Sequence, residues 1–150
     1  MFQGQLLSIF ISPKFGMDLH PVAEAEAVAG RGLVGDRYFL PEGMINPEKE
    51  ITLIETEALA ALAAEYNLAL EPRRSRRSLL TRGVPLNHLV GKEFSVGSLK
   101  LRGVKLCEPC GHLEKLTVRG VQNGLCHRGG LRAQILQGGL LRIGDAIREA

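Results

Sequence analysis

Apolar positions along this chain fall mostly in short, β-prone runs. Leu6-Leu7-Ser8-Ile9-Phe10-Ile11 is the first, and Ile51-Thr52-Leu53-Ile54 is another. Further runs follow at 94–96, 99–101, 104–106, 133–136, 140–143 and 146–148. Gly97, Gly103, Gly138, Gly139 and Gly144 punctuate them. Many short runs separated by glycine turns predict an antiparallel barrel or sandwich. One segment has a different period. Leu59, Leu62, Ala63 and Tyr66 fall at i, i+3, i+4 and i+7, which predicts a helix over residues 56–67 with Thr56 as its N-cap. A second short helix is expected from near Cys110 through His112, Leu113 and Leu116. The 72–77 stretch reads as a basic loop, not as a linker between domains, and no solenoid-type repeat is visible.

Composition narrows the class. A chain of 150 residues fits one domain able to bury a real core. Hydrophobic residues make up 45% and charged residues 23%, as in ordinary globular proteins. No apolar run approaches the roughly 20 residues of a membrane span, so no membrane role is expected. Met1-Phe2-Gln3-Gly4-Gln5 lacks a basic segment followed by an apolar one, so no signal peptide is expected. Three cysteines, an odd number, suit reduced thiols in a cytoplasmic protein better than a disulfide framework.

Two features carry chemistry. The first is Cys107-Glu108-Pro109-Cys110-Gly111-His112, followed by Cys126-His127-Arg128-Gly129-Gly130. Thiols and imidazoles so grouped can bind soft metals, carry sulfur or exchange disulfides. Cys107-x-x-Cys110 can be read as a redox dithiol, although that expects a βαβ setting. Cys107, Cys110 and Cys126 with His112 or His127 can be read as a zinc set, although a second paired knuckle is missing. A thiolate that holds sulfur or molybdenum needs one cysteine only. Cys110 is the better candidate, since it follows Pro109 at an expected helix start, where a thiolate is favoured. Any of the three can also be a small buried hydrophobe, and Cys126 beside Leu125 fits that description.

The second feature is Arg73-Arg74-Ser75-Arg76-Arg77, four arginines in five positions. Such a run is either a solvated loop or an anion site, because arginine grips phosphate or carboxylate bidentately. Nucleic acid is not expected. Aromatic residues are only 5% of the chain, and none interleaves with the cluster. Gly32-Leu33-Val34-Gly35-Asp36-Arg37-Tyr38 adds a tight glycine turn with a charge pair, either a ligand contact or a structural ion pair. His127-Arg128 before Gly129-Gly130 is a further possible oxyanion contact.

Together these segments resemble the MOSC domain, found at the C-terminus of molybdenum cofactor sulfurases and in standalone bacterial proteins. The matching pieces include Gly30-x-Gly32-Leu33-x-Gly35-Asp36-Arg37-Tyr38, Ile51-Thr52-Leu53-Ile54-Glu55 and Arg76-Arg77-Ser78-Leu79-Leu80-Thr81-Arg82-Gly83-Val84. Leu86-Asn87-x-Leu89-Val90-Gly91 and Cys107-Glu108-Pro109-Cys110 follow. The last are His127-Arg128-Gly129-Gly130-Leu131-Arg132 and Gly138-Gly139-x-x-Arg142-Ile143-Gly144-Asp145. The resemblance implies a mainly β fold, a bent antiparallel barrel with one or two short helices. It implies that Cys110 carries sulfur or ligates molybdenum. It also implies molybdenum cofactor (molybdopterin) binding, with Asp36, Arg37, Arg76, Arg77, Ser78, His127 and Arg128 as the binding residues. Zinc is the alternative metal, in a binding module without catalysis. A separate sulfurase or redox protein is the implied partner. Pyridoxal phosphate belongs to a different, aminotransferase-like domain of the sulfurases and is not assigned to this chain. The chain departs from the family at Ser78, where asparagine is usual and reaches further than serine.

Three expectations follow. Cys110 is the reactive thiol, Cys107 secondary and Cys126 inert. Arg37, Arg76 and Arg77 converge near Cys110, while Arg73 and Arg74 are solvated. No structural zinc holds the fold.

Overall fold

The glycine-bounded runs become strands in the computed structural model, which describes residues 1–150. In chain order these are β1 (Gln3–Ile11), β2 (His20–Val22), β3 (Glu24–Val28), β4 (Gly32–Leu33), β5 (Ile51–Glu55) and β6 (Leu79–Arg82). Then come β7 (Glu93–Val96), β8 (Leu99–Leu106), β9 (Leu131–Gln137), β10 (Gly139–Arg142) and β11 (Ala146–Glu149). Three helices are interspersed: α1 (Thr56–Tyr66), α2 (Gly111–Leu116) and α3 (Val121–Gly124). Hydrogen bonding runs β11-β7-β8-β9-β5-β6-β1, and pairing of β1 with β11 closes a seven-stranded barrel. The expected mainly β barrel with few helices is therefore what forms. A small sheet, β10-β3-β4, adds Leu141, Ala25, Ala27 and Leu33 to the barrel core.

β1 serves two cores at once. Leu6 and Ile9 lie in the barrel interior, whereas Phe10 belongs to a second cluster on the outside. Strict alternation puts positions 6 and 9 on opposite faces. A register shift between Leu6 and Ser8 against β6 supplies the missing step, as a bulge does. β8 is bent in the same way, with register shifts against β9 at Lys100/Leu101 and Gly103/Lys105. The runs at 99–101 and 104–106, read as two strands around Gly103, are thus one bent strand.

All strand pairs are antiparallel except β5 with β6, which run parallel with Leu53 opposite Leu79. α1 lies between them in sequence, and a parallel pair needs such a crossover. The residue before the helix is Glu55 rather than Thr56, and its side chain makes no capping bond. Instead Glu57, in the first turn, accepts from the Gly83 amide at 2.8 Å. Asn67 ends the helix in the left-handed conformation (φ 54°). Leu59 and Leu62 pack on Ile54 and Leu80 outside the barrel, and Leu113, Val121 and Leu125 complete that cluster. The second core therefore anchors α2 and α3, and with them the cysteine-bearing segments. No helix is long and apolar enough to cross a membrane.

Leu62 is fully buried at the centre of this second core. Leu62→Ala is expected to cost about 2–5 kcal/mol, the range for deleting a buried leucine side chain. Urea unfolding monitored by circular dichroism measures it.

Candidate anion and thiol site

β5 and β9 lie side by side, with Thr52 opposite Arg132 and both side chains on the outer face of the barrel. Their inner neighbours Leu53, Leu131 and Ala133 fill the core. That outer face is one wall of a cleft of about 180 Å³. Six of the residues selected from sequence line it: Asp36, Arg37, Arg76, Arg77, Ser78 and Cys110. Tyr38, Lys49, Glu50, Thr52, Cys107, Glu108, His112 and Arg132 border it as well. A larger hollow of about 530 Å³ beside Gln3, Arg82 and Gly144 contains no thiol and only one charged side chain.

The arginines do different jobs. Arg77 is buried, 8% accessible. Its Nε donates to the Gly129 carbonyl at 2.7 Å, Nη2 to that of Cys107 at 2.9 Å and Nη1 to that of Ser75 at 3.1 Å. It braces three backbone segments around the cleft, and most of its donors are committed. Arg37 pairs with Asp36 at 3.1 Å, and both side chains are almost inaccessible. Asp36 also accepts from the Ser12 and Tyr38 amides, so it fixes its own turn. The Arg37 guanidinium stacks over Tyr38, 4.6 Å from the ring centre. Arg76 is held in the left-handed conformation (φ 62°) after the 3-10 turn Pro72–Ser75. Burial, and next the charge of Arg37, push its guanidinium below the usual arginine range. Two like charges kept close in a half-buried cleft favour a bound anion.

Arg74 donates to the Leu116 carbonyl and Arg73 pairs with Glu71, so both face away from the cleft and are half-buried rather than fully solvated. Ser78 is buried. Its amide donates to Thr52 Oγ1 at 3.0 Å, and the two hydroxyls lie 3.4 Å apart.

Cys110 is exposed and immediately precedes α2, the helix expected there. Cys107 is buried, whereas Cys126 is exposed, so Cys126 is not the small buried hydrophobe that its place beside Leu125 suggests. Leu125, not its cysteine neighbour, fills the second core. Two glycines hold the loops together. A side chain at Gly129 would strike the Cys107 carbonyl and Pro109, and one at Gly130 (φ +111°) would strike the Leu53 carbonyl. His127 and Arg128 do not line the cleft. Arg128 pairs with Glu65 of α1 at 2.7 Å. His127, also left-handed (φ 64°), places Nδ1 2.6 Å from Glu108 Oε2, and its amide donates to Glu108 Oε1 at 2.7 Å. Burial opposes ionisation of Glu108, but these bonds from His127 outweigh it and hold the carboxyl below its ordinary range. The ligand set Cys107, Cys110, Cys126 and a histidine is not assembled. The potential metal ligands that do meet are Glu108, Cys126 and His127.

Lys49, Glu50, Thr52, Tyr38 and Arg132 complete the cleft without having been selected as site residues. Thr52 and Arg132 carried a signal, as polar positions interrupting apolar strands. Glu50 did not. It is 3% accessible, its Oε1 accepts from the Ile135 amide at 2.9 Å, and Oε2 has no partner. Burial pushes its carboxyl up, against the opposing pull of the Ile135 and Gly30 amides.

A protein-family model described as the MOSC domain matches residues 41–148. The chain belongs to the MOSC domain family. No curated protein matches it. The MOSC chain is similar in fold to the YuaD protein from Bacillus subtilis (TM-score 0.84, 14% identity, covering 98% of this chain and 97% of that one). It is also similar to YiiM from Geobacillus stearothermophilus (TM-score 0.76, 17% identity, covering 98% and 75%). YiiM from Escherichia coli aligns with a TM-score of 0.69 at 16% identity, covering 97% and 69%.

The exposed thiols should differ in reactivity. Cys126 lies beside the Glu108 carboxylate, whereas Cys110 borders the arginines. Negatively charged iodoacetate is expected to label Cys110 ahead of Cys126 in the folded protein, and Cys107 only after unfolding. Peptide mass mapping decides it, and early labelling of Cys107 contradicts the buried assignment. Glu50 predicts a pH dependence. A carboxyl raised by folding contributes most while protonated, and that contribution is lost as pH rises from the ordinary carboxylate range through the raised value. Glu50→Gln cannot ionise. Its melting temperature should match the parent near about pH 4 and exceed it near about pH 8, and a pH-independent difference would count against this origin.

Proposed function

We propose that this MOSC chain binds the molybdenum cofactor, or carries a sulfur atom for it, with Cys110 as the working thiol. The proposal rests on one observation. An exposed thiol shares a cleft with Arg37, Arg76, Lys49 and Arg132. The donor set fits a phosphorylated pterin. Arg76, Lys49 and Arg132 suit the phosphate, the Thr52 and Ser78 hydroxyls suit polar ring edges, and the unpartnered Glu50 oxygen is an acceptor at the wall. If bound, the molybdenum centre would supply Lewis-acid chemistry, and Cys110 is the residue that would hold it. The chain's own residues hold the anion, neutralise its charge and present the sulfur. Arg77 keeps the Cys107 and Ser75 segments in register around it.

In the carrier form a separate sulfurase is the partner. The Cys110 thiolate attacks the outer sulfur of the partner's persulfide. The donor S–S bond breaks, the inner sulfur leaves as a thiolate, and a new S–S bond forms on Cys110.

Incubation with a cysteine desulfurase and cysteine should add one sulfur to the Cys110 peptide, seen by mass spectrometry and lost in Cys110→Ser. Persulfide on Cys126 instead would move the function off the cleft. Arg76→Ala should weaken binding of a phosphorylated pterin by about 1.5–3 kcal/mol, the size of a charge-assisted hydrogen bond. Arg74→Ala should leave it unchanged, and calorimetric titration compares the two.

A further inference from the structure

We propose that Glu108, Cys126 and His127 form a surface binding site for a borderline-soft divalent cation of the zinc class. The site is distinct from the cleft thiol, and the inference does not depend on the proposed cofactor chemistry. Three ligand atoms of three different kinds, a carboxylate oxygen, an imidazole nitrogen and a thiol sulfur, lie within 4.8 Å of one another. Ligands of tetrahedral zinc sit at roughly 2.0–2.3 Å from the metal, which places them roughly 3.3–3.7 Å apart. All three side chains are exposed, so they are free to rotate, widening the 2.6 Å His127–Glu108 pair and drawing in the Cys126 sulfur. Thiolate with imidazole selects zinc-like cations over magnesium and calcium, which take oxygen ligands.

The backbone presents this trio in a fixed way. The left-handed turn at His127 brings its ring back over Glu108, and Glu108 Oε1 is held by the His127 amide at 2.7 Å. That bond leaves Oε2 facing Nδ1 at 2.6 Å. A cation enters as Nδ1 and Oε2 move apart to ligand spacing, and the neighbouring Cys126 supplies the third ligand. Asn87 Nδ2 donates to the His127 carbonyl at 2.6 Å and steadies the turn from the other side. Arg77 binds the carbonyls of Cys107 and Gly129, next to Glu108 and two positions after His127, so the two ligand-bearing segments are cross-braced through the interior. The nearest cationic residue in sequence, Arg128, has its charge taken by Glu65. Three protein ligands leave one coordination position for water or an incoming group. The fold does not depend on the site, because both hydrophobic clusters form without these residues.

Cobalt(II) titration of the reduced, metal-free full chain tests the proposal. One equivalent should bind with a thiolate-to-cobalt charge-transfer band and the intense visible bands of a tetrahedral ion, and zinc should bleach them. The bands should vanish in Cys126→Ser, whose melting temperature should equal that of the parent. Glu108→Gln and His127→Ala should each weaken binding by about tenfold or more. Cys110→Ser should bind as the parent does. Absence of the bands in the parent, their survival in Cys126→Ser, or their loss in Cys110→Ser would overturn the site.

Discussion

The Arg77 guanidinium ties three separate backbone segments together around the cleft. It is buried and ends three loops at once by donating to Ser75, Cys107 and Gly129 carbonyls. The Cys107 and Gly129 carbonyls lie in irregular backbone and that of Ser75 ends a 3-10 turn, so none has a ladder partner. A buried carbonyl without a donor costs about 1–3 kcal/mol, so one planar group satisfying three of them is a strong local constraint. The Cys107–Cys110 loop, the 127–130 turn and the 3-10 turn before Arg76 take their relative positions from it. Gly129 and Gly130 permit the close approach, since any side chain there would meet the Cys107 or Leu53 carbonyl.

Around this brace the cleft keeps an excess of positive charge. Five cationic side chains line the cleft against three carboxylates, Asp36, Glu50 and Glu108. Asp36 is already spent on Arg37 and on two backbone amides. Glu108 turns to His127, and burial disfavours the charge on Glu50. The carboxylates therefore do little to cancel Arg76, Lys49 and Arg132.

The two hydrophobic clusters explain how a barrel comes to carry such a site. The strands close on one core, and the bulge in β1 lets the same strand feed a second core outside. α1, α2 and α3 dock on that outer core. Cys110 is thus set by the docking of α2 through Leu113, and Cys126 by Leu125 beside it.

Local pattern alone determined the strand-rich class, the amphipathic α1 and the short helix after Cys110. These depend on periods of two or 3.6 residues, which neighbouring positions carry between them. It also marked the thiol and arginine segments, because unusual residue types are visible wherever they fold. The short strands β2, β3, β4 and β6 and the parallel β5–β6 pair left no such mark. Tertiary structure alone decided which cysteine is buried, since Cys107 and Cys126 have equally apolar neighbours in sequence. It turned Arg77 inward as a brace, sent Arg128 to Glu65, 63 positions away, and brought Lys49, Glu50 and Arg132 to the cleft. It also set His127 against Glu108, 19 positions away. Contacts across such separations arise only when the barrel closes and the outer core docks, and a chain read position by position holds no periodic trace of them.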